Sequence, residues 1–372
     1  MRTIFLAAAA MMFVACSGGN GTSSAASADS ASDTAATAAP RDPKADTLSF
    51  AFVGDVMMGT TFPDSIHGSN LPHDDGRTLF DDTRTVTDRV DLAGLNLEGS
   101  FLDKGGHRRR MTNPRTYFIF RMPTSYVQNL VDAGFDWAGI ANNHINDFGQ
   151  PGRSSTMKTL REAKMAVVGL KDSCETAQFV RKGRKIGVTQ FGHGDNNLDV
   201  TDLDELRRVV KKLAAENDIV LVSFHGGAEG TAHMHVPFKP EVYVGERRGN
   251  VAEFAHAAID AGADVVFGHG PHVPRAVELY KDRLICYSLG NYCAPYRMGQ
   301  AGATGFSTIA EVHTDGEGRF IYGKLHSLRQ RHGDGPVFDS TYQSARLIRS
   351  LTLDDFPDTP INISESGEIT RK

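Results

Sequence analysis

Thiols, long apolar runs and a strong charge imbalance are all scarce in this chain. Its 372 residues include four cysteines, Cys16, Cys174, Cys286 and Cys293, with no C-x-x-C spacing. That pattern excludes a disulfide scaffold. Cys286 and Cys293 could form one bridge in an exported protein, but the preferred reading is small buried hydrophobes. No apolar run approaches 18 residues, so no membrane-spanning helix is expected. The formal net charge of −5 argues against a general nucleic-acid binder. No internal repeat is visible. With 40% hydrophobic and 23% charged residues, the composition is that of an ordinary globular protein.

The first residues read as a targeting segment. Arg2 supplies a positive flank, Ile4–Val14 an apolar stretch and Ala15-Cys16 a small residue before cysteine, in signal-peptide proportions. Phe13-Val14-Ala15-Cys16 resembles a bacterial lipoprotein box, in which Cys16 is lipidated. Residues 17–46 are mostly Ser, Ala, Thr, Gly and Asp; they bury too little to offset their ordering entropy and read as a flexible tether. The expectation is an exported, membrane-anchored lipoprotein of the bacterial cell envelope. Its segments are a signal at 1–16, the tether, a folded domain at 47–352 and a polar, frayed tail at 353–372.

Within the folded part, polar residues repeatedly follow short apolar runs. Leu48–Val53 leads to Gly54-Asp55, Leu92–Leu97 to Glu98, and Trp137–Ala141 to Asn142-Asn143-His144. Ile219–Phe224 leads to His225-Gly226-Gly227-Ala228-Glu229, and Val265–Phe267 to Gly268-His269-Gly270-Pro271-His272. Runs of this length, bounded by Gly and Pro, predict buried strands. Helices predicted between them imply parallel β-α units, an α/β fold close to the α+β boundary, with strand ends gathered on one sheet edge. Asp55, Glu98, Asn143, His144, His225, His269 and His272 would then meet in one cleft. Two carboxylates and several imidazoles need a partner, because unpaired buried charge costs several kcal/mol. A divalent cation serves, and oxygen and imidazole donors suit manganese, iron or zinc. The cationic stretch Gly105–Arg121, with Arg108, Arg109 and Arg110, reads as a solvated loop or as a clamp for an anionic substrate.

The series GDVMMG, NLEG, ANNHINDFG, HGGAE, GHGPHV and YSLGNY resembles the CapA family of poly-γ-glutamate capsule synthesis proteins. That resemblance implies a β-sandwich flanked by helices, of the calcineurin-like metallophosphatase type. It places metal ligands on Asp55, Glu98, Asn143, His225, His269 and His272. Catalytic roles fall on His144, Asp55 and Glu229, and substrate contacts on Asn291 and the arginine run. Three departures stand out. Asp55 is followed by Val56-Met57 where metallophosphatases have Asp-x-His. His225-Gly226-Gly227 stands where relatives have His-Trp-Gly. Gly270 replaces the second histidine of Gly-His-His-Pro-His. Without a ligand at Met57, the expectation is a tighter cation site at Glu98, Asn143, His225 and His269, and a weaker one at Asp55 and His272.

Two functions follow. One is a lipid-anchored, metal-dependent hydrolase of amide, γ-glutamyl or phosphoester bonds, acting on an anionic or peptidic envelope polymer alongside capsule-assembly proteins. The other is a tethered polymer-binding component without turnover.

Overall fold

The computed structural model describes residues 47–64, 68–107, 118–296 and 298–372. The expected signal and tether, with Cys16, and the residues Arg108, Arg109 and Arg110 lie outside them. Among the described residues two large sheets carry the architecture. The first runs Ile361–Ile363, Glu368–Arg371, Phe320–Arg329, Phe306–Thr314, Leu48–Val56, Leu92–Leu97, Trp137–Gly139, Ala166–Val168. The second runs Val277–Tyr280, Arg283–Cys286, Val265–His269, Ile219–His225, Arg184–Gly192, Thr176–Arg181. The predicted β-α pattern appears as parallel ladders in both, from Leu48–Val56 to Ala166–Val168 and from Arg184–Gly192 to Arg283–Cys286.

Side-chain alternation explains why the sheets face one another. Successive strand residues point to opposite faces. Leu48, Phe50 and Phe52 of the first sheet therefore share one buried cluster with Ile219, Leu221, Val265 and Phe267 of the second. Phe52 and Phe267 stack across that interface with ring centroids 4.0 Å apart. The alternate residues Ala51 and Val53 turn outward and pack with Leu130 and Leu160, from the helices Val127–Asp132 and Gly149–Glu162. Val220, Val222 and Val266 do the same against the helices Leu203–Glu216 and Val251–Asp260. Asp202 caps the first of these two, accepting from the backbone N–H groups of Asp204 and Glu205. The result is helix, sheet, sheet, helix: a mixed α/β sandwich flanked by helices, as the resemblance implies.

Two expectations are corrected. The strand ends gather along the shared rim of two sheets, because the apolar runs have two apolar faces and each sheet has one helical layer. Residues 353–372 are not a frayed tail. The helix Gln343–Asp355 runs across that boundary, and Ile361–Ile363 and Glu368–Arg371 complete the first sheet beside Phe320–Arg329. Ile361, Ile363 and Ile369 are buried in the sandwich core, and that burial orders a segment whose composition looks polar.

Leu48–Val56 changes partner along its length. It pairs antiparallel with Phe306–Thr314 from Leu48 to Val53, then parallel with Asn291–Cys293 at Asp55 and Val56. The Gly290 carbonyl, which accepts the Asp55 N–H at 3.0 Å, lies where a Cβ on Gly54 would overlap it. Glycine is required there by close backbone approach. Cys174, Cys286 and Cys293 are buried free thiols, as preferred.

Candidate metal centre

Asp55 is the hub of the rim. The register slips on both sides of it, against Leu92–Leu97 and against Asn291–Cys293, an irregularity of the kind that re-aims a side chain. Its Oδ1 accepts from Asn96 Nδ2 at 2.8 Å and lies 3.3 Å from His269 Nδ1 and 3.9 Å from His225 Nδ1. Its Oδ2 accepts from His272 Nδ1 at 2.9 Å, and the same N–H reaches Asn291 Oδ1 at 2.9 Å. His272 Nε2 is thereby turned toward Glu98 Oε1, 3.7 Å away. The loop achieves this with His272 at φ 55°, in the left-handed region, a conformation that costs a residue with a Cβ on the order of 1 kcal/mol.

Asp55, Glu98 and His272 are all buried and offer ligand atoms within 4.8 Å of one another. His225 and His269 sit side by side in register on the second sheet. The expected division is therefore redrawn. The tightest grouping is Asp55, Glu98 and His272, with His225 and His269 adjoining through Asp55, because the left-handed turn brings His272 back over both carboxylates.

Electrostatics follow from this crowding. Burial opposes ionisation of Asp55, but His269 and His272 outweigh it and hold the carboxyl well below its usual range. Glu98 is pushed up to about 7, first by burial and then by the Asp55 charge. Burial also disfavours the His272 cation, yet Glu98 and Asp55 raise it to about 10. Burial drives His225 well below its ordinary value, so it is a neutral donor. Glu98 Oε1, His225 Nε2 and His269 Nε2 are buried with no hydrogen-bond partner among the described residues. Each such group costs about 1–3 kcal/mol if left unmet. Carboxylate oxygens and imidazole nitrogens without thiolate fit a divalent ion.

A second unit stands beside Glu98. His144 Nε2 lies 3.7 Å from Glu98 Oε1, while Nδ1 donates to Asp147 Oδ2 at 2.9 Å. Asp147 also accepts the Phe120 N–H at 2.9 Å, and the Phe120 ring packs on the imidazole at 4.5 Å. Beneath both units runs an amide network. Asn96 Oδ1 accepts from Asn142 Nδ2 and from Gln190 Nε2, each at 3.0 Å, and Asn142 Oδ1 caps the His144 and Ile145 N–H groups.

Residues 49–296 match the family described as bacterial capsule synthesis protein PGA_cap. The chain belongs to this family. It is 24% identical over 326 residues to the capsule biosynthesis protein CapA of Bacillus anthracis, covering 82% of this chain and 73% of that one. It is 25% identical to the PGA biosynthesis protein CapA of Bacillus subtilis, covering 83% and 79%. Among solved structures, a phosphatase from Mycoplasma pneumoniae superposes with a TM-score of 0.50 at 14% identity, over 77% of this chain and 95% of that one. The last likeness is one of fold.

In this PGA_cap chain most of the residues anticipated from sequence come together, and three stand apart from the closest donors. Asp55, Glu98, His225, His269, His272 and His144 converge. Asn143 follows the buried Asn142 on the same turn and is half-buried. Glu229 is not among the closest donors; it pairs with Arg248 at 2.8 Å, although its charge reaches Glu98 and His272. Asn291 supports His272 from behind. Met57 packs against Phe120 and Ala294, so the first motif supplies one ligand. Asn96, Asp147, Gln190, His193 and Arg248 were missed. His193 follows the run ending at Phe191-Gly192, the same signal that marked His225, but that run reads more readily as half of a hairpin.

Proposed function

We propose that this PGA_cap protein is a metal-dependent hydrolase of a γ-glutamyl or related anionic envelope polymer, held at a membrane through a lipid on Cys16. The observation that carries the reading is the convergence of Asp55, Glu98 and His272 beside unmet nitrogens on His225 and His269 and beside the His144–Asp147 pair. Capsule and PGA biosynthesis are named for the Bacillus relatives, and the substrate class is taken from them. Asp55, Glu98, His225, His269 and His272 would hold one or two ions of manganese, iron or zinc, which polarise the scissile group and lower the pKa of water. Such an ion would supply positive charge between the carboxylates of Asp55 and Glu98, which His272 bridges in this structure. His144, fixed at Nδ1 by Asp147, presents Nε2 to the cleft as proton donor for the leaving group, and Asp147 steadies the imidazolium. The residues Arg108, Arg109 and Arg110 suit a polyanion.

A second reading, a polymer-binding component without turnover, draws on Met57, which leaves the first motif one ligand short. Elemental analysis and turnover assays on γ-glutamyl oligomers decide between them. Near-stoichiometric metal in the purified protein, lost in Glu98→Ala and His269→Ala, with turnover lost in His144→Ala while metal stays, supports the hydrolase. Folded protein that remains metal-free with added Mn²⁺ or Zn²⁺ overturns it.

A further inference from the structure

The strand Val277–Tyr280, at the edge of the second sheet, carries a carboxylate that the metal centre does not use. Glu278 is 9% exposed. Its Oε2 accepts from His256 Nε2 at 2.8 Å and from the Tyr287 hydroxyl at 2.7 Å, while Oε1 meets no donor among the described residues. Glu278 lines a cavity of about 370 Å³ with Phe238, Asp355, Phe356, Pro357 and Asp358, a volume within the range of small-ligand sites. Both oxygens of Asp355 are taken, by His235 Nδ1 at 2.7 Å and by the Val236 N–H at 2.9 Å. Asp358 is exposed and makes no ion pair among the described residues.

Phe238 is the anomaly of this hollow. Its φ is 51°, in the left-handed region where a bulky side chain is an outlier. The ring meets Phe356 edge-on at 5.3 Å, and Phe356 stacks on Tyr287 at 5.2 Å. Yet 52% of Phe238 stays exposed, so its own burial does not account for the strained backbone. A second cavity, of about 490 Å³, shares Phe238 and His256 with the first. The two hollows adjoin across the ring.

A carboxylate oxygen without a donor, a second carboxylate without a cation and an exposed ring together call for an ammonium on an apolar stem. A guanidinium fits less well, because its fork matches two parallel acceptors and Glu278 has one oxygen left to give. We propose that these hollows form a docking site for an exposed lysine of a partner polypeptide. The lysine stem lies along Phe238, its ammonium donates to Glu278 Oε1, and Asp358 adds negative charge at the mouth. The residues flanking that lysine run over Phe238 into the adjoining hollow.

The test is isothermal titration of the full chain with an end-capped pentapeptide of one lysine flanked by alanines, and with the same peptide carrying acetyl-lysine or arginine. The lysine peptide binds one to one, acetylation weakens binding at least tenfold and arginine at least threefold. Phe238→Gly suits the left-handed backbone, and Asp358→Asn has no partner to lose. Each weakens the lysine peptide at least fivefold with circular dichroism unchanged. No binding of the lysine peptide, equal binding of the acetyl-lysine form, arginine binding as tightly, or undiminished binding by either variant overturns the site. Glu98→Ala, altered at the metal centre, binds the peptide as the native chain does; loss of binding there places the peptide at the centre and also overturns the site.

Discussion

At the scale of single residues, Asn96 ties Asp55 to the amide network beneath the centre. It is fully buried, donates to Asp55 and accepts from Asn142 and Gln190. Asn96→Ala strands polar partners and is expected to cost about 2 kcal/mol. It is also expected to weaken cation binding by freeing Asp55 to rotate; urea unfolding and metal titration read the two effects. On the far side of the first sheet, Glu311 accepts from His313 at 3.0 Å, His326 at 2.7 Å and Arg89 at 2.6 Å. Burial opposes its charge, but these three partners hold the carboxyl well below its ordinary range. A depressed acid contributes stability above its unfolded pKa of about 4.3, and that contribution is lost as pH falls further. Melting temperature should therefore drop more steeply below about pH 5 in the native protein than in Glu311→Gln, with the difference between them largest near neutral pH.

At the scale of elements, the terminal strands have the largest effect. Ending the chain at residue 355 removes Ile361, Ile363 and Ile369 from the core and bares the edge of Phe320–Arg329. At about 2 kcal/mol per buried isoleucine, the loss approaches the whole stability of a typical domain. The truncated protein is expected to aggregate on expression, which soluble yield and light scattering report. These strands were illegible in sequence because Ile361–Ile363 and Glu368–Arg371 alternate apolar and polar residues over only a few positions, and Glu368–Arg371 joins the sheet through Tyr322–Lys324, far upstream. Strands buried on both faces, such as Ile219–His225 and Val265–His269, were legible because each is an unbroken apolar run. So were their terminal histidines. Asp147 and Gln190 were not, because their importance comes from what the fold sets beside them. Gly268 makes a comparable element-level demand: a Cβ there would overlap the Phe224 ring and the Tyr287 carbonyl. Gly268→Ala is expected to cost about 1–3 kcal/mol and to shift His269, lowering metal content in elemental analysis.

At the scale of the molecule, the centre is divided between the sheets. Asp55, Glu98 and His144 come from the first, and His225 and His269 from the second. An ion held by both would cross-link the sandwich and, binding the native state preferentially, would raise its stability by about 4 kcal/mol at a thousandfold excess over Kd. Chelation should lower the melting temperature of the native protein and leave Glu98→Ala unaffected; calorimetry with and without chelator checks this.

The partner change along Leu48–Val56 acts as a wedge. Ser288–Asn291 enters where the antiparallel ladder to Phe306–Thr314 would otherwise continue, and the isolated bridge from Gly290 to Ser307 marks how far it reaches. The cleft is thus a gap that the sheet is prevented from zipping shut. Shortening that wedge by one residue is expected to let the two strands re-pair past Val53, closing the hollow with every candidate ligand still in the chain.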